Sequence, residues 1–385
     1  MQHKEPKLWS RNFIFIIMTS LFTFVGFQML LPTVPVFAKK LGGSDAEAGL
    51  VVGIFALSAL LVRPLSGYAL DRFGRKELLF AGLIIFIISV IAYHWAITLA
   101  LLLLIRFIHG FGWGISSTAA STTATDIIPR QRLGEGMGFY GLAGTISMAL
   151  APAAGLWVME EMGFSVLFTI AASIAAAGLG IALWIQYPTI PLAQNKSMVL
   201  VEQTAFVPAV VIFFLTMTYG AVVSFLALYA LEQNIGSVGY FFSVYAAALL
   251  MVRPFAGRLS DKVGFDVLVI PGIGAVMGAM VVVSMAHSLT GFLIAAALYG
   301  IGFGALVPCL QAMSVMNTPP ERRGAANGTF FTGFDLGIAL GSLVWGWVAQ
   351  AVGYSAMFLW TVIPAAISLF IYVLKRPKIQ RGGTL

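Results

Sequence analysis

Long apolar stretches occupy almost the entire chain, and this feature restricts its fold more than any other. Each is about 20 residues long, the length that an α-helix needs to cross a bilayer. Lipid offers no hydrogen bonds to the backbone, so stretches of this kind are expected to be helical. The twelve predicted spans are residues 12–37, 48–70, 78–96, 99–123, 136–158, 165–185, 205–229, 239–259, 267–286, 291–315, 325–350 and 356–374. The third and fourth spans are separated only at His94-Trp95, a pair typical of the membrane interface.

The composition excludes a soluble or a disordered protein. Hydrophobic residues make up 59% of the chain and charged residues only 10%, whereas about a quarter of the residues in a soluble domain are charged. So few charges cannot supply the polar surface of a soluble chain, and the apolar content is far too high for disorder. The sequence therefore predicts an all-α integral membrane protein with twelve transmembrane helices.

The chain carries no recognisable catalytic or cofactor motif. It has neither a G-x4-GK-[ST] phosphate loop nor an HExxH helix, and its four histidines lack metal-ligand spacing. Cys309 is the single cysteine, which excludes an intrachain disulfide and a cysteine-based metal site. We therefore expect no enzymatic activity, no cofactor and no metal, and an ion gradient as the source of energy.

Basic residues predict the orientation of the spans. The N-terminus, the even-numbered loops and the C-terminus hold 17 of the 22 Lys and Arg residues, and the opposite side holds only Lys39 and Lys40. The positive-inside rule then places both termini in the cytoplasm of a cell membrane, which agrees with an even number of spans. The formal net charge of +7 follows mostly from this asymmetry, so nucleic acid is not an expected partner.

The chain repeats itself at an offset of 190 residues. Residues 61–74 (LVRPLSGYALDRFG) match residues 251–264 (MVRPFAGRLSDKVG), and the same offset relates residues 163–168 (GFSVLF) to residues 353–358 (GYSAMF). We therefore predict two pseudo-symmetric six-helix bundles, residues 12–186 and 205–374, joined by a cytoplasmic linker (187–204) and followed by a tail (375–385). Two such parallel halves suit alternating access to a site near mid-membrane. The plainer alternative is a duplication that only builds a stable bundle.

One loop carries the signature of a known family. GYALDRFGRK (residues 67–76) resembles the Gly-x3-Asp-Arg-x-Gly-Arg-Lys loop of the major facilitator superfamily, and the chain as a whole is closest to its 12-span drug:proton antiporter branch. The resemblance implies the fold of that family and a cytoplasmic latch that forms in one conformation and breaks in another. The expected latch residues are Gly67, Asp71, Arg72, Gly74, Arg75, Lys76, Glu135 and, in the second copy, Asp261. The alternative reading is a basic loop that only fixes topology.

Spans 4 and 5 carry two further motifs of that family. Arg106 lies inside span 4, where an unpaired charge is costly, and the resemblance implies a role in proton coupling. His109 lies on the same helical face and is a second candidate for it. Span 5 resembles the antiporter motif at Gly138, Pro152 and Gly155, which implies export. Simple structural roles remain the alternatives: backbone-satisfied side chains in span 4 and close helix packing in span 5.

Asp335 is the acidic residue that the sequence places deepest in the membrane, about 15 Å from the helix end at 1.5 Å per residue. A carboxyl group at this depth can take up a proton on one side and release it on the other, or it can form a structural ion pair with a buried arginine. The family resemblance also implies a substrate cavity between the halves. Its expected lining is Phe24, Gln28, Arg63, Tyr140, Tyr219, Phe225, Arg253, Gln311 and Phe330.

The function predicted from these features is proton-coupled efflux of small amphipathic or drug-like molecules. Departures in the span-5 motif, where Ser147, Ala151 and Leu156 replace glycines, keep a proton-coupled importer of a small metabolite as the alternative. A membrane-embedded enzyme or channel would need a catalytic cluster or a polar pore, and the sequence indicates neither. The expected partners are a small-molecule substrate, protons and the lipid bilayer, and we expect a monomer.

Overall fold

The fold consists of helices, most of which are joined by short turns. The structure, a computed structural model, describes residues 7–43, 45–188, 199–235 and 239–375. Its helices are α1 (Arg11–Lys40), α2 (Asp45–Phe73), α3 (Arg75–Ala92), α4 (Leu99–Ile127), α5 (Leu133–Met162), α6 (Phe164–Ala182), α7 (Gln203–Glu232), α8 (Gly239–Val263), α9 (Asp266–Ser284), α10 (Leu289–Met316), α11 (Arg323–Trp360) and α12 (Val362–Lys375). Residues 189–198 of the predicted linker and 376–385 of the predicted tail lie outside the described residues.

The predicted all-α fold with twelve spans is confirmed. In the described part of the chain, eleven helical segments are long and apolar enough to cross a membrane, and the last one covers 56 residues. That segment contains two spans, because α11 turns sharply at Gly353, where φ is 80° and ψ is 167°. The eleventh span therefore ends at this glycine, and the twelfth runs on from it into α12.

The duplication extends to the backbone conformation of the turns. Gly74 and Gly264 have φ angles of 107° and 98°, and Gly163 and Gly353 have 86° and 80°. Only glycine adopts this region without strain, so each pair fixes the same turn in both halves. The division between spans 3 and 4 is likewise repeated, since the side chains of Thr98 and Ser288 both cap the helix that follows.

Helix packing repeats in the same way within each half. In the first, α4 packs against α2 and α3, and α1 packs against α6; in the second, α10 packs against α8 and α9, and α7 against α12. Glycines allow the close approach: a Cβ on Gly112 would lie 2.6 Å from Phe86 N, and one on the equivalent Gly302 would lie 2.8 Å from Gly272 O. Small residues at such crossings are typical of membrane helices.

The chain forms two compact units that differ slightly from the two sequence halves. The first unit contains the described residues of 1–131, 139–202 and 318–332, and the second contains those of 132–138, 203–317 and 333–385. Each unit thus includes the start of one helix from the opposite sequence half: α11 begins in the first unit and α5 in the second. These two helix starts are where the charged residues concentrate.

Candidate functional site

In the first unit, Asp71 caps the start of α11. Its Oδ1 accepts a hydrogen bond from Gly324 N at 3.0 Å, and its Oδ2 accepts one from Ala325 N at 2.9 Å. The first N–H groups of a helix have no partner within the helix, and they carry the positive end of its dipole. A carboxylate at the end of α2 therefore holds the first turn of a helix from the other half of the sequence.

Buried ion pairs surround this cap, and we call the set the Asp71 cluster. Arg75 Nη1 lies 3.1 Å from Asp71 Oδ1, and Arg75 Nε lies 2.9 Å from Asp126 Oδ2. Arg323 Nη1 lies 2.9 Å from Asp126 Oδ1. Arg75 Nη2 also donates a hydrogen bond to Pro320 O at 2.6 Å. The alternation of two guanidinium groups with two carboxylates leaves each buried charge beside an opposite one, as burial requires.

The second unit contains the equivalent arrangement, which we call the Asp261 cluster. Asp261 accepts hydrogen bonds from Gly134 N at 2.9 Å and from Glu135 N at 2.8 Å, in the first turn of α5. Glu135 in turn forms ion pairs with Arg132, at 2.7 Å, and with Arg258. The two caps therefore match bond for bond, with α2 on α11 in one unit and α8 on α5 in the other.

Glycines bring the paired helices close enough for these bonds. A Cβ on Gly67 would lie 2.6 Å from Gly324 O, and one on Gly257 would collide with Gly134 O. Gly138 of the span-5 motif meets Arg253 O in the same manner, at 2.5 Å. The glycines of the signature loop thus do more than allow a turn, because they let two backbones meet.

The remaining predicted latch residues have different surroundings. Arg72 is exposed and donates a hydrogen bond to Tyr68 Oη at 2.6 Å. Asp126 belongs to the Asp71 cluster, and Glu135, with Arg132, belongs to the Asp261 cluster.

Arg106 and His109 lie inside the first unit, packed among α2, α3 and α4. Arg106 Nε donates to Val51 O at 3.1 Å, and its guanidinium lies 4.4 Å from the centre of the Phe55 ring. Tyr93 Oη links the two predicted residues, at 3.4 Å from Arg106 Nη1 and 2.8 Å from His109 Nδ1. A backbone carbonyl, a phenol and an aromatic face thus stabilise the buried cation.

Arg63 is buried where α2, α4 and α11 meet in the first unit. Its Nη1 lies 3.2 Å from Ser117 Oγ and 3.3 Å from Thr118 Oγ1. Its guanidinium lies 4.7 Å from the centre of the Phe331 ring. The side chain is 4% exposed, so the burial, the hydroxyl groups and the aromatic ring together hold it inside the protein rather than at an interface with water.

A small pocket of about 10 Å³, room for about one water molecule, lies between α1, α3 and α4 and shares Ser117 with the surroundings of Arg63. Its lining residues are Thr19, Ser20, Thr23, Phe24, Leu79, Leu83, Trp113, Ser116, Ser117 and Ala120. Phe24 and Trp113 meet edge to face there, with ring centres 4.9 Å apart. Ser20 Oγ donates to Tyr140 Oη at 3.1 Å, which places Tyr140 behind the pocket. Of the predicted cavity residues, Phe24 lines this pocket, Tyr140 bonds to its Ser20 and Arg63 bonds to its Ser117.

Other predicted cavity residues lie apart from this pocket. Gln28 is on α1, and its Oε1 is buried and accepts no hydrogen bond from the described residues. Phe330, on α11, is completely buried. In the second unit Tyr219 packs near Phe303, with ring centres 5.8 Å apart, and Phe225 lies 6.3 Å from Tyr354. The predicted Gln311 is buried in α10 of the same unit.

Asp335 lies in the interior of α11, on the part of the helix that belongs to the second unit. Glycines on either side of it allow α11 to approach α7 closely. A Cβ on Gly333 would collide with Ala209 O, and one on Gly341 would lie 2.6 Å from Met217 O. Asp335 is half-buried. It lies twelve residues after the first residue of α11, and its depth in the membrane stays a prediction.

In the span-5 motif, Pro152 is within α5 and Gly155 packs on α1. A Cβ on Gly155 would lie 2.8 Å from Met29 Cα. Ser147, which departs from the motif, donates to Ala143 O at 2.7 Å. The serine therefore satisfies its hydroxyl group within its own helix and preserves a small contact surface.

Sequence reasoning missed several residues that the structure joins to these sites. Tyr93 bridges Arg106 and His109, Arg323 pairs with Asp126, and Arg322 Nε lies 2.8 Å from Glu202 Oε2. The 190-residue offset could have identified one of them. It makes Arg322 equivalent in sequence to Arg132, which pairs with Glu135. Tyr93 carried no such signal, because it lies in the turn before α4.

Twelve spans, an internal duplication and reciprocal caps together define a multi-pass membrane transporter fold. The sequence profile of the Major Facilitator Superfamily matches residues 16–273 and 208–384. The chain therefore belongs to this superfamily, as its signature loop predicted. Members are transporters of small molecules and not enzymes, and the chain is accordingly a multi-pass membrane transporter.

Individual relatives agree with this assignment. The chain is 23% identical to an MFS-type transporter of Methanocaldococcus jannaschii, over 96% of this chain and 99% of that protein. It is 24% identical to the multidrug resistance protein MdtG of Escherichia coli O9:H4, over 96% and 94% of the two chains. These relatives match the drug-exporter-like branch that the motifs indicated.

Solved structures share the fold. The human organic anion transporter MFSD10 superposes with a TM-score of 0.82 at 18% identity, over 94% of this chain and 98% of that one. The Escherichia coli fucose:proton symporter FucP superposes with a TM-score of 0.76 at 16% identity, over 94% and 99%. At these identities the likeness concerns the fold alone.

Proposed function

We propose that this transporter exports small amphipathic or drug-like molecules in exchange for protons, by alternating access. The observation that carries the alternating-access part is the reciprocal capping of α11 by Asp71 and of α5 by Asp261. Each cap joins residues of the two sequence halves through hydrogen bonds and charges. Polar contacts of this kind can be exchanged for water when a vestibule opens, so they suit a contact that breaks and re-forms in each cycle.

Export is supported by two observations. The relatives named MdtG are multidrug resistance proteins, and span 5 retains Gly138, Pro152 and Gly155. Phe24 and Trp113 supply aromatic surface of the kind that binding sites for amphipathic solutes combine with a few polar groups.

Proton coupling is assigned to Asp335, with Arg106 and His109 as further candidates. Asp335 lies well inside a span, on a helix whose glycines contact α7, so a change in packing there would alter the environment of its carboxyl group. Arg106 and His109 form one hydrogen-bonded set with Tyr93. Through that set, a change in the protonation of the imidazole would reach the buried guanidinium.

We also propose that both termini are cytoplasmic and that the protein functions as a monomer. The excess of Lys and Arg in the even-numbered loops supports cytoplasmic termini in the plasma membrane. Both caps lie at those loop ends, so they would close the cytoplasmic side. Because the whole transport pathway can be built from one chain with two halves, the functional unit is proposed to be the monomer.

The test uses inverted membrane vesicles, acidified inside and loaded with a pH-sensitive dye. Addition of an exported solute should release protons from the vesicle interior, and Asp335→Asn should abolish this release. Glu161→Gln, which removes an exposed carboxylate at the end of α5, is the matched control and should behave as the wild type. If a screen of amphipathic solutes never releases protons and Asp335→Asn changes no transport, proton coupling is wrong.

A proton-coupled importer is the second candidate. It is favoured by Ser147, Ala151 and Leu156, which depart from the antiporter motif in span 5. Right-side-out vesicles distinguish the two directions: an importer accumulates the solute when the exterior is acidified, and an exporter lowers its internal concentration.

A further inference from the structure

One phenol oxygen connects the two buried polar residues that span 4 contributes to proton coupling. Tyr93 Oη lies 3.4 Å from Arg106 Nη1 and 2.8 Å from His109 Nδ1. All three side chains are completely buried. Within the described residues, no carboxylate forms a hydrogen bond or an ion pair with any of the three. The direction of each hydrogen bond is therefore decided by these groups themselves.

The hydrogen atoms of this set can be assigned by counting donors and acceptors. A guanidinium group has donors only, so Arg106 donates and Tyr93 Oη accepts. The other hydrogen-bond partner of this oxygen among the described residues is His109 Nδ1. If Tyr93 donates to Nδ1, its hydroxyl group is satisfied, and the neutral imidazole carries its proton on Nε2. If Nδ1 donated instead, the proton of Tyr93 would be buried without an acceptor, which is unfavourable.

The imidazole ring packs against aromatic side chains of two neighbouring helices. Its centre lies 5.1 Å from that of Phe55, on α2, and 4.4 Å from that of Phe86, on α3. His109 Nε2 is buried and makes no hydrogen bond to any described residue. His94, the other histidine in this region, is exposed and bonds to α6. Within the described residues, Arg106 is therefore the charged group that acts on the imidazole.

We propose that Tyr93 is a positioning residue for proton coupling, because it makes the present hydrogen bond of Arg106 and the protonation of His109 mutually exclusive. The role assigned to Tyr93 rests on the proposed function and makes it more specific. A proton from water adds to His109 Nδ1, and the new N–H donates to Tyr93 Oη, whose own proton turns away. Two buried cations then share one oxygen without a carboxylate to offset them, which is costly. Their repulsion favours release of Arg106 from Tyr93.

Release of Arg106 would alter the contact between two helices of the first unit. Arg106, on α4, also donates from Nε to Val51 O, on α2, at 3.1 Å. The same two helices carry Asp71 and Asp126 near their last residues. These are the carboxylates of the Asp71 cluster, so a shift of α2 against α4 would reach the cap on α11. Proton uptake at His109 is thus linked to the contact that alternating access requires to open.

The direct test locates the proton on His109. His3→Gln, His94→Gln and His287→Gln together leave His109 as the single histidine of the full-length protein. After isotopic labelling of that histidine, NMR of the purified protein without solute distinguishes a protonated ring nitrogen from an unprotonated one. At neutral pH, Nε2 should be protonated and Nδ1 should be an unprotonated hydrogen-bond acceptor. A proton on Nδ1, or one on each nitrogen, overturns the inference whatever the transport assays show.

Tyr93→Phe removes the hydroxyl group and keeps the ring. The same NMR measurement should then show both neutral forms of His109, because Nδ1 has lost its donor. In proteoliposomes, exchange of labelled for unlabelled solute should stay close to the wild-type rate, whereas uptake driven by a pH gradient should fall by about tenfold or more. A general loss of structure would lower both activities together, so the split between them reports on coupling.

The matched control is Tyr229→Phe. Tyr229 is also completely buried, and its hydroxyl group donates to a backbone carbonyl, Ser284 O, at 3.1 Å. This variant likewise removes a buried, hydrogen-bonded phenol hydroxyl, but it leaves Arg106 and His109 untouched. It should keep exchange and proton-driven uptake in the wild-type ratio. If Tyr93→Phe does not fold, the NMR measurement still decides, because it changes no residue of the set.

The outcomes separate the role of Tyr93 from the proposed function. Folded Tyr93→Phe that retains proton-driven uptake, or that loses exchange and proton-driven uptake equally, overturns this role while proton-coupled efflux stands. If no solute releases protons with the wild-type protein, the proposed function is overturned and the coupling role with it, whereas the position of the proton on His109 is unaffected.

Discussion

The two capping clusters share one backbone geometry but differ in the charges that support it. Asp71 is backed by Arg75, which is 4% exposed and also pairs with Asp126. At the position equivalent to Arg75 the second half has Phe265. Asp261 instead lies next to Glu135, a second carboxylate, whose charge is balanced by Arg132 and by a 53% exposed Arg258. The same cap is therefore supported by buried pairs in one unit and by solvent-facing pairs in the other.

This difference predicts that the two clusters have unequal strength. Removal of one partner from a buried ion pair leaves an uncompensated charge, whereas exposed pairs contribute little. The Asp71 cluster should therefore be the more costly contact to break, and the Asp261 cluster the one that opens more easily. The predictions below test this ranking.

Asp71→Ala should have the largest effect. It removes one of the carboxylates beside buried Arg75 and leaves Gly324 N and Ala325 N without their acceptor. The expected loss is about 3 kcal/mol in the free energy of unfolding, measured by SDS titration of the purified protein. Transport should fall severely. A loss equal to that of Asp261→Ala would contradict the unequal ranking.

Asp261→Ala should have an intermediate effect. The loss of a capping carboxylate costs about 1–2 kcal/mol, but it also relieves the repulsion between Asp261 and Glu135. The unfolding free energy should therefore fall by less than in Asp71→Ala, under the same SDS titration. Asp261→Asn, which keeps one acceptor oxygen, should recover part of the loss.

Arg258→Gln should have the smallest effect. Its side chain is 53% exposed, and exposed ion pairs contribute below about 1 kcal/mol. Glu135 keeps Arg132, so the cap on α5 should persist. Transport assayed at low and at high salt should differ less in this variant than in the wild type, because the pair that salt screens has been removed. A large loss of unfolding free energy would contradict this ranking, because the Arg258–Glu135 pair would then be the main stabilising contact of the Asp261 cluster.

Much of the fold could be predicted because apolar length and the 190-residue offset are properties of the sequence itself. The turn at His94-Trp95 is confirmed: a short 3₁₀ turn covers Tyr93–Trp95, and α4 begins at Leu99. The break at Gly353 followed from its equivalence with Gly163. Both signals are local or periodic, so no three-dimensional information was needed to read them.

The site was predicted less completely, because partners distant in sequence leave no periodic signal. The signature loop singled out Asp71 and Arg75, but Asp126 and Arg323 are 51 and 248 positions from Arg75 and required the packing of α4 and α11. Span 4 singled out Arg106 by its depth but not its partners, which are Val51 O and Tyr93 Oη within the helix bundle. Depth in a span can be read from a sequence, but the direction of a side chain depends on which helices surround it.

The central claim is that the contact between the start of α11 and α4, within the first unit, must open during transport, and a reversible cross-link tests it directly. Ser121 Oγ, on α4, lies 3.3 Å from Asn327 Oδ1, on α11. Cysteines are placed at these two positions in a Cys309→Ala background, and formation of the disulfide under oxidant is verified by the loss of free thiols before transport is measured. The matched controls are the two single-cysteine variants under the same oxidant.

Oxidation of Ser121→Cys/Asn327→Cys should stop transport in proteoliposomes, and reduction should restore it, while both single-cysteine variants remain active throughout. Full transport by the cross-linked protein would contradict the account, because the start of α11 would then remain fixed to α4 through the whole cycle.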